Sequence, residues 1–148
     1  MTQPKSLSAL LKQYNLRPRK GLGQNFLSDP FHLEKIVDAA GITPDDVVLE
    51  IGPGPGLLTY QLVKQASQVV AVEVDSGMIT LLNQEFAHQQ NLKVVEADIL
   101  ETQLDTLLDS SQTFKVVANL PYYITSAVIR LLLEGVVRPS CIVVTVQK

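Results

Sequence analysis

A single cysteine and two histidines stand in a chain of 148 residues, and that scarcity removes several kinds of chemistry at once. Cys141 has no second cysteine to pair with and falls in the apolar run from Cys141 to Val146, so it reads as a buried reduced thiol and not as a nucleophile. His32 and His88 have no partner at metal-ligand spacing, so no metal is expected. No apolar run approaches the ~20 residues of a membrane span, and the polar, basic start carries no apolar signal core. The expected location is therefore cytoplasmic, with no membrane partner. Internal repeats and low-complexity tracts are also absent.

What the chain does have is 46% hydrophobic residues, enough for one globular domain with a real core. Its net charge of −3 does not by itself suggest a nucleic-acid partner, but the distribution is lopsided. Lys5, Lys12, Arg17, Arg19 and Lys20 give the first 28 residues +5 with no acid, while the remainder holds seven bases against fifteen acids, net −8. Residues 1–20 are expected to be a basic, mobile arm ahead of a domain over residues 21–148. Such an arm suits phosphate contacts, and a solvated terminus has the same composition.

The chain is organised around Val47 to Gly56, Val-Val-Leu-Glu-Ile-Gly-Pro-Gly-Pro-Gly. Val47, Val48, Leu49 and Ile51 read as a buried parallel strand, and Gly52, Gly54 and Gly56 turn the backbone into the helically spaced Leu57 to Leu62. Glycine suits both a positive-φ turn and the close approach of a ligand to bare amides at a helix N-terminus. Pro53 and Pro55 stiffen the loop and remove two donors. The dinucleotide fingerprint is Gly-x-Gly-x-x-Gly, whereas here the third glycine comes one residue early and Leu57 fills the fingerprint's slot. Glu50 sits two residues before Gly52, where its carboxylate would repel a pyrophosphate and hold an ammonium or sulfonium. S-adenosylmethionine carries both cations and is the expected cofactor.

Around this turn, strands alternate with helices. Asp29 and Pro30 open a helix with Leu33, Ile36, Val37 and Ala40 on its buried stripe, and Gly41 stops it. Gln68 to Glu73 is a second strand, ending in an acid seventeen residues beyond Gly56, where a carboxylate can accept two hydrogen bonds from ribose hydroxyls. Asp75 and Ser76 read as caps of a helix over Gly77 to Ala87, with Ile79, Leu82 and Phe86 inward. Leu92 to Glu96 is a third strand, and Asp98 beyond its tip either takes the adenine amino group or caps a helix around Leu104 to Leu108. Phe114 to Ala118, a helix Thr125 to Leu133 and a strand Cys141 to Val146 complete the series. The pattern predicts an α/β fold, a doubly wound, mostly parallel sheet of order 3-2-1-4-5 with ligand groups at the strand tips.

Asn119-Leu120-Pro121-Tyr122 follows the fourth strand. The exocyclic amine of adenine is a poor nucleophile, because its lone pair is delocalised into the ring. An amide oxygen from Asn119 and the backbone carbonyl of Leu120 or Pro121 could accept its two N–H bonds and favour the pyramidal form. Tyr122 offers a ring face for a base taken out of its stack.

Together, Gly23-Gln24-Asn25-Phe26-Leu27, Glu50 to Gly56, Val72 to Asp75, Glu96 to Asp98 and Asn119 to Tyr122 resemble the ribosomal RNA adenine dimethyltransferase family, most closely its small-subunit branch. The resemblance covers nearly all of residues 17–148. It implies a Rossmann-like methyltransferase fold and transfer of methyl groups from S-adenosylmethionine to N6 of two adjacent adenosines of 16S rRNA, on an immature 30S particle during ribosome biogenesis. Carried over, Asn25 and Leu27 close over the cofactor, Gly52 touches it by backbone, Glu73 binds the ribose, Asp98 the adenine, and Asn119 serves cofactor and target amine.

The resemblance also implies two further strands and a small helical domain, so the chain is expected to be a truncated form with an apolar fifth strand on the edge that binds cofactor weakly, self-associates and transfers no methyl groups alone. Two other readings stay open: an adenine methyltransferase acting on large-subunit rRNA or DNA, and a non-catalytic rRNA-binding assembly factor.

Overall fold

A computed structural model describes residues 5–18, 26–109 and 111–145. Five strands, β1 (Val47–Ile51), β2 (Gln68–Glu73), β3 (Leu92–Glu96), β4 (Lys115–Asn119) and β5 (Cys141–Thr145), form one sheet of order β3-β2-β1-β4-β5 with every pairing parallel. The helices are α1 (Leu7–Gln13), α2 (Pro30–Ala40), α3 (Leu57–Gln65), α4 (Ser76–Glu85) and α5 (Tyr122–Glu134). The expected order and the parallel sense both hold.

Strand alternation divides the core in two. Val48, Val69 and Val117 point to one face, against α1, α2, α3 and α4 through Leu10, Leu33, Val37, Leu62 and Leu81. Val47, Leu49, Ile51, Val70, Val72, Val116 and Ala118 point to the other, against Ile99, Leu104, Val128 and Leu132. All five residues of β1 are buried, which is why the central strand reads as an apolar run, interrupted by Glu50, instead of an alternating one. A fully buried Val or Leu here is worth about 1.5–3 kcal/mol over an exposed one.

Local chemistry sets the element ends. Asp29 accepts from the Phe31 amide at 2.9 Å and Pro30 occupies the first turn of α2, while Gly41 closes that helix at φ 57°. Asp75 caps α4 by accepting from the Gly77 amide at 2.8 Å. Lys115, at the start of β4, pairs with Asp46 at 2.9 Å and donates to the Gly41 carbonyl at 2.8 Å. That ties the α2–β1 connection to the N-terminal end of the sheet and leaves the opposite end for ligand groups.

Several expectations need correction. The mobile arm does not hold for the segment around α1. Leu10 is buried in the core with Tyr14 and Leu16 packed beside it. The Tyr14 hydroxyl donates to Glu85 at 2.5 Å, and Lys5 pairs with Glu85 at 3.1 Å. Burial, and then Glu85, push the Tyr14 hydroxyl up to about 12. The apolar spacing of Leu7, Leu10 and Leu11 was the sequence signal for docking, and the basic composition masked it. On α4 the buried residues are Met78, Leu81 and Leu82, with Phe86 just past its end, and Ile79 is only half-buried. Helix α5 begins at Tyr122, three residues before the expected start at Thr125. The expected helix around Leu104 to Leu108 is a 3-10 turn, Leu104–Thr106, with Gln103 at its N-cap; Asp98 instead caps an earlier 3-10 turn, Ile99–Glu101, accepting from the Leu100 amide at 3.0 Å. Strand β4 starts at Lys115 and runs through Asn119, and Phe114 lies just ahead of it.

Candidate active site

The turn from β1 into α3 is built on Gly52 (φ 73°), Gly54 (φ 55°) and Gly56 (φ 89°). Ligand approach is not the whole reason for glycine. At Gly56 a Cβ would stand 2.7 Å from the Phe86 ring and 2.9 Å from Leu82, so the packing of α4 against the turn also demands a bare backbone. At Gly54 a Cβ would meet the Phe26 ring at 3.0 Å, which brings the segment before α2 down onto the loop.

Glu73 holds this loop from beneath. One of its oxygens accepts from the Gly54 amide at 3.0 Å and the other from the Asp75 amide at 2.8 Å. It is 5% exposed. Burial raises its pKa, and the backbone hydrogen bonds from Asp75, Gly54 and Val74 work against that rise. An ionised carboxylate has about four acceptor positions, so these amide bonds still leave room for a hydroxyl donor.

Glu50 lies deeper, on the face of β1 that looks toward α3. It is 1% exposed, and Thr59, itself fully buried, donates its hydroxyl hydrogen to Oε1 at 2.5 Å. Burial pushes Glu50 up to about 8, the Thr59 bond opposes this, and the like charge of Glu73 adds to it. Sequence reasoning missed Thr59. The available signal was a polar residue on the inward side of an otherwise apolar helical stretch.

Glu50, Gly52, Leu27 and Asn119 line one cavity, together with Phe26 and Leu57. Asn119 ends β4, its backbone carbonyl lies beside Gly52, and its Oδ1 accepts from the Thr145 hydroxyl on β5. Leu120 is buried, whereas Tyr122 and Tyr123 are exposed with their rings edge to face, centroids 6.0 Å apart. The Pro121 carbonyl is engaged at the start of α5 by the Ile124 amide at 3.2 Å and the Thr125 hydroxyl at 3.1 Å. Glu73 and Asp98 are not in the cavity lining: Glu73 lies behind the glycine loop, and Asp98 is exposed at the tip beyond β3. Val74, next to Glu73, and Leu100, two residues past Asp98, are exposed apolar residues that sequence reasoning also passed over; an apolar residue shortly after each acid was the available signal. Asn25 lies outside the described residues, as do Gly23 and Gln24. Among the described residues no group of three or more His, Cys, Asp or Glu could hold a metal ion, and no helix is long and apolar enough to cross a membrane.

A glycine turn at the tip of the central strand, a buried acid at its base and further acids at the next two strand tips define the class: a Rossmann-like domain of the S-adenosylmethionine-dependent methyltransferase fold. The residues fit that cofactor, because a buried carboxyl lining a cavity calls for a cation and the glycines leave the loop backbone bare.

The family model for ribosomal RNA adenine dimethylases matches residues 15–148, and the chain belongs to that family. Among curated proteins, ribosomal RNA small subunit methyltransferase A of Dehalococcoides mccartyi is 48% identical over 139 residues, covering 94% of this chain and 48% of that protein. The protein of the same name from Alkaliphilus metalliredigens is 41% identical over 151 residues, covering 100% and 53% respectively. The chain thus spans about half the length of the curated relatives it matches. Among solved structures, the 23S rRNA methyltransferase ErmE superposes with a TM-score of 0.71 at 34% identity, over 82% of this chain and 48% of that one. A dimethyladenosine transferase from Plasmodium falciparum gives 0.69 at 33%, over 84% and 43%.

Proposed function

We propose that this chain is the cofactor-binding portion of an enzyme that transfers methyl groups from S-adenosylmethionine to N6 of two adjacent adenosines in small-subunit rRNA. The observation that carries the reading is the meeting of Asn119 with Glu50 and the glycine turn in one cavity, with an exposed tyrosine, Tyr122, three residues on. When bound, the cofactor supplies a methyl group activated by a sulfonium.

The chain's own groups divide the remaining work. Glu50 balances the positive charge, Leu27 and, by family resemblance, Asn25 cover the ligand, and Gly52, Gly54 and Gly56 expose backbone to it. Glu73 accepts from the ribose hydroxyls. Asp98 takes the adenine amino group, while Val74 and Leu100 present apolar surface to the ring. For the target base, Asn119 Oδ1 and a backbone carbonyl accept the two amine hydrogens. Because Pro121's carbonyl already serves the first turn of α5, the second acceptor is Leu120's. Drawing both hydrogens toward acceptors localises the nitrogen lone pair, so that no strong base is required. Tyr122 stacks on the base.

Likeness to a 23S enzyme at 34% identity favours a large-subunit target less than the small-subunit relatives at up to 48% favour theirs. With a full-length protein carrying this domain, label from methyl-tritiated cofactor should appear in immature 30S particles and not in 50S particles or duplex DNA. Label confined to either of the latter would overturn the substrate, and cofactor binding without label in any of them would leave the assembly-factor reading.

A further inference from the structure

We propose that Thr145 is a positioning residue for Asn119: its hydroxyl fixes the carboxamide that lines the cavity while touching no ligand itself. Thr145 ends β5 and stands directly opposite Asn119 in the parallel β4·β5 register. Its Oγ1 donates to Asn119 Oδ1 at 2.5 Å. Asn119 lines the cavity and Thr145 does not, so whatever Thr145 contributes passes through Asn119.

The physical case begins with torsional freedom. An asparagine side chain has two rotatable bonds, and the second is a broad sp³–sp² torsion with weak preferences of its own. Asn119 and Thr145 are both half-buried, so bulk packing does not settle where the amide plane lies. Groups that assist a reaction must be held to within about 0.5 Å and 10–20°. The Asn119 backbone is already confined, since its carbonyl would stand 3.3 Å from a Cβ on Gly52 and its ladder partner is β5. A hydroxyl from the next strand adds a hold on the side-chain amide itself.

Threonine suits this task on two counts. A β-branched side chain is stiff at χ1 and at home in a strand, so the hydroxyl is delivered from a defined position. The rest of β5, with Ile142, Val143 and Val144, is apolar, and a hydroxyl at its end is the one polar side chain the strand directs at the Asn119 amide.

The functional weight of the inference rests on the reading of Asn119 as acceptor of the target amine, but its structural content does not. The test is therefore ¹⁵N relaxation of the Asn119 side-chain amide in the 148-residue chain, comparing the native protein with Thr145→Val and Thr145→Ser. The native order parameter should approach the ~0.85 of rigid backbone and fall below ~0.6 in Thr145→Val. Serine should restore most of it, and the backbone amides of β4 should hold their values throughout. An unchanged Asn119 amide in Thr145→Val, or a loss in Thr145→Ser equal to that in the valine variant, overturns the proposal. Should the valine variant fail to fold, Thr145→Ala is read against the same two results. A second measurement separates the two layers. In methyl transfer to immature 30S particles by a full-length protein carrying this domain, Thr145→Val should lower turnover tenfold or more with KM little changed, given that a misplacement of about 1 Å can cost 10²-fold. A mobile amide with unchanged turnover would keep the positioning contact and refute the role of Asn119.

Discussion

Thr59, in the first turn of α3, donates its hydroxyl hydrogen to Glu50 on β1 across 2.5 Å, and the like charge of a second acid, Glu73, acts on the same carboxyl. A buried acid with a hydroxyl and a like charge for company holds its proton near neutrality until a cation arrives.

A pH dependence of stability follows. Glu50's value of about 8 in the fold lies above the ~4.3 of an unperturbed glutamate. Between those two values the folded chain keeps a proton that the unfolded chain has released. The contribution to stability is fully present below the lower value and is lost as pH rises through the upper one, at no more than about 1.4 kcal/mol per pH unit. Urea unfolding of the ligand-free chain at intervals from pH 5 to 8 should show this decline, and Glu50→Gln should flatten it. A decline of equal slope in the variant would place the titrating group elsewhere.

Gly56→Ala should destabilise the fold without any ligand present. The added methyl meets Phe86 at 2.7 Å and Leu82 at 2.9 Å from a backbone at φ 89°. Crowding of that kind costs about 1–3 kcal/mol, and a left-handed alanine about 1–2 more. Denaturant midpoints measure it, and a loss below about 0.5 kcal/mol would mean that α4 shifts freely away from the turn.

Glu73→Ala should do two separable things. It leaves the Gly54 and Asp75 amides without their acceptor, which loosens the loop, and it removes the proposed ribose partner, for a combined loss of about 1–3 kcal/mol in cofactor binding. Glu73→Gln keeps one acceptor oxygen, so its hydrogen-exchange protection at Gly54 should lie between those of the native chain and Glu73→Ala. Native protection in both variants would show that the loop does not depend on this side chain.

In a full-length protein carrying this domain, Asn119→Ala should keep cofactor affinity within roughly tenfold, since the glycine turn, Glu73 and Asp98 remain, yet abolish most methyl transfer. Calorimetry beside a label-transfer assay gives both numbers. Parallel losses would move Asn119 from the target amine to the cofactor.

The sheet was legible in the sequence because parallel strands buried on both faces leave apolar runs that need no periodicity to be seen, as in Val47–Ile51 and Gln68–Glu73. Caps announced themselves too, through Asp29-Pro30 and Asp75. What the sequence hid were contacts between distant positions. Nothing local says that Glu50 meets a hydroxyl on the following helix, that Thr145 stands opposite Asn119, or that Phe86 forbids a side chain at Gly56. The docking of α1 was obscured differently, since a basic surface and a buried leucine coexist on seven residues and composition weighs only the first.

The most direct test is calorimetric titration of the chain with S-adenosylmethionine at pH 7 in two buffers of different protonation enthalpy. The expected result is one saturable site, with protons released on binding as Glu50 ionises, and with Glu50→Gln both weaker and without that release. No saturable heat at millimolar ligand, or binding that is indifferent to buffer and to Glu50→Gln alike, would contradict the assignment of this cavity to a cationic methyl donor.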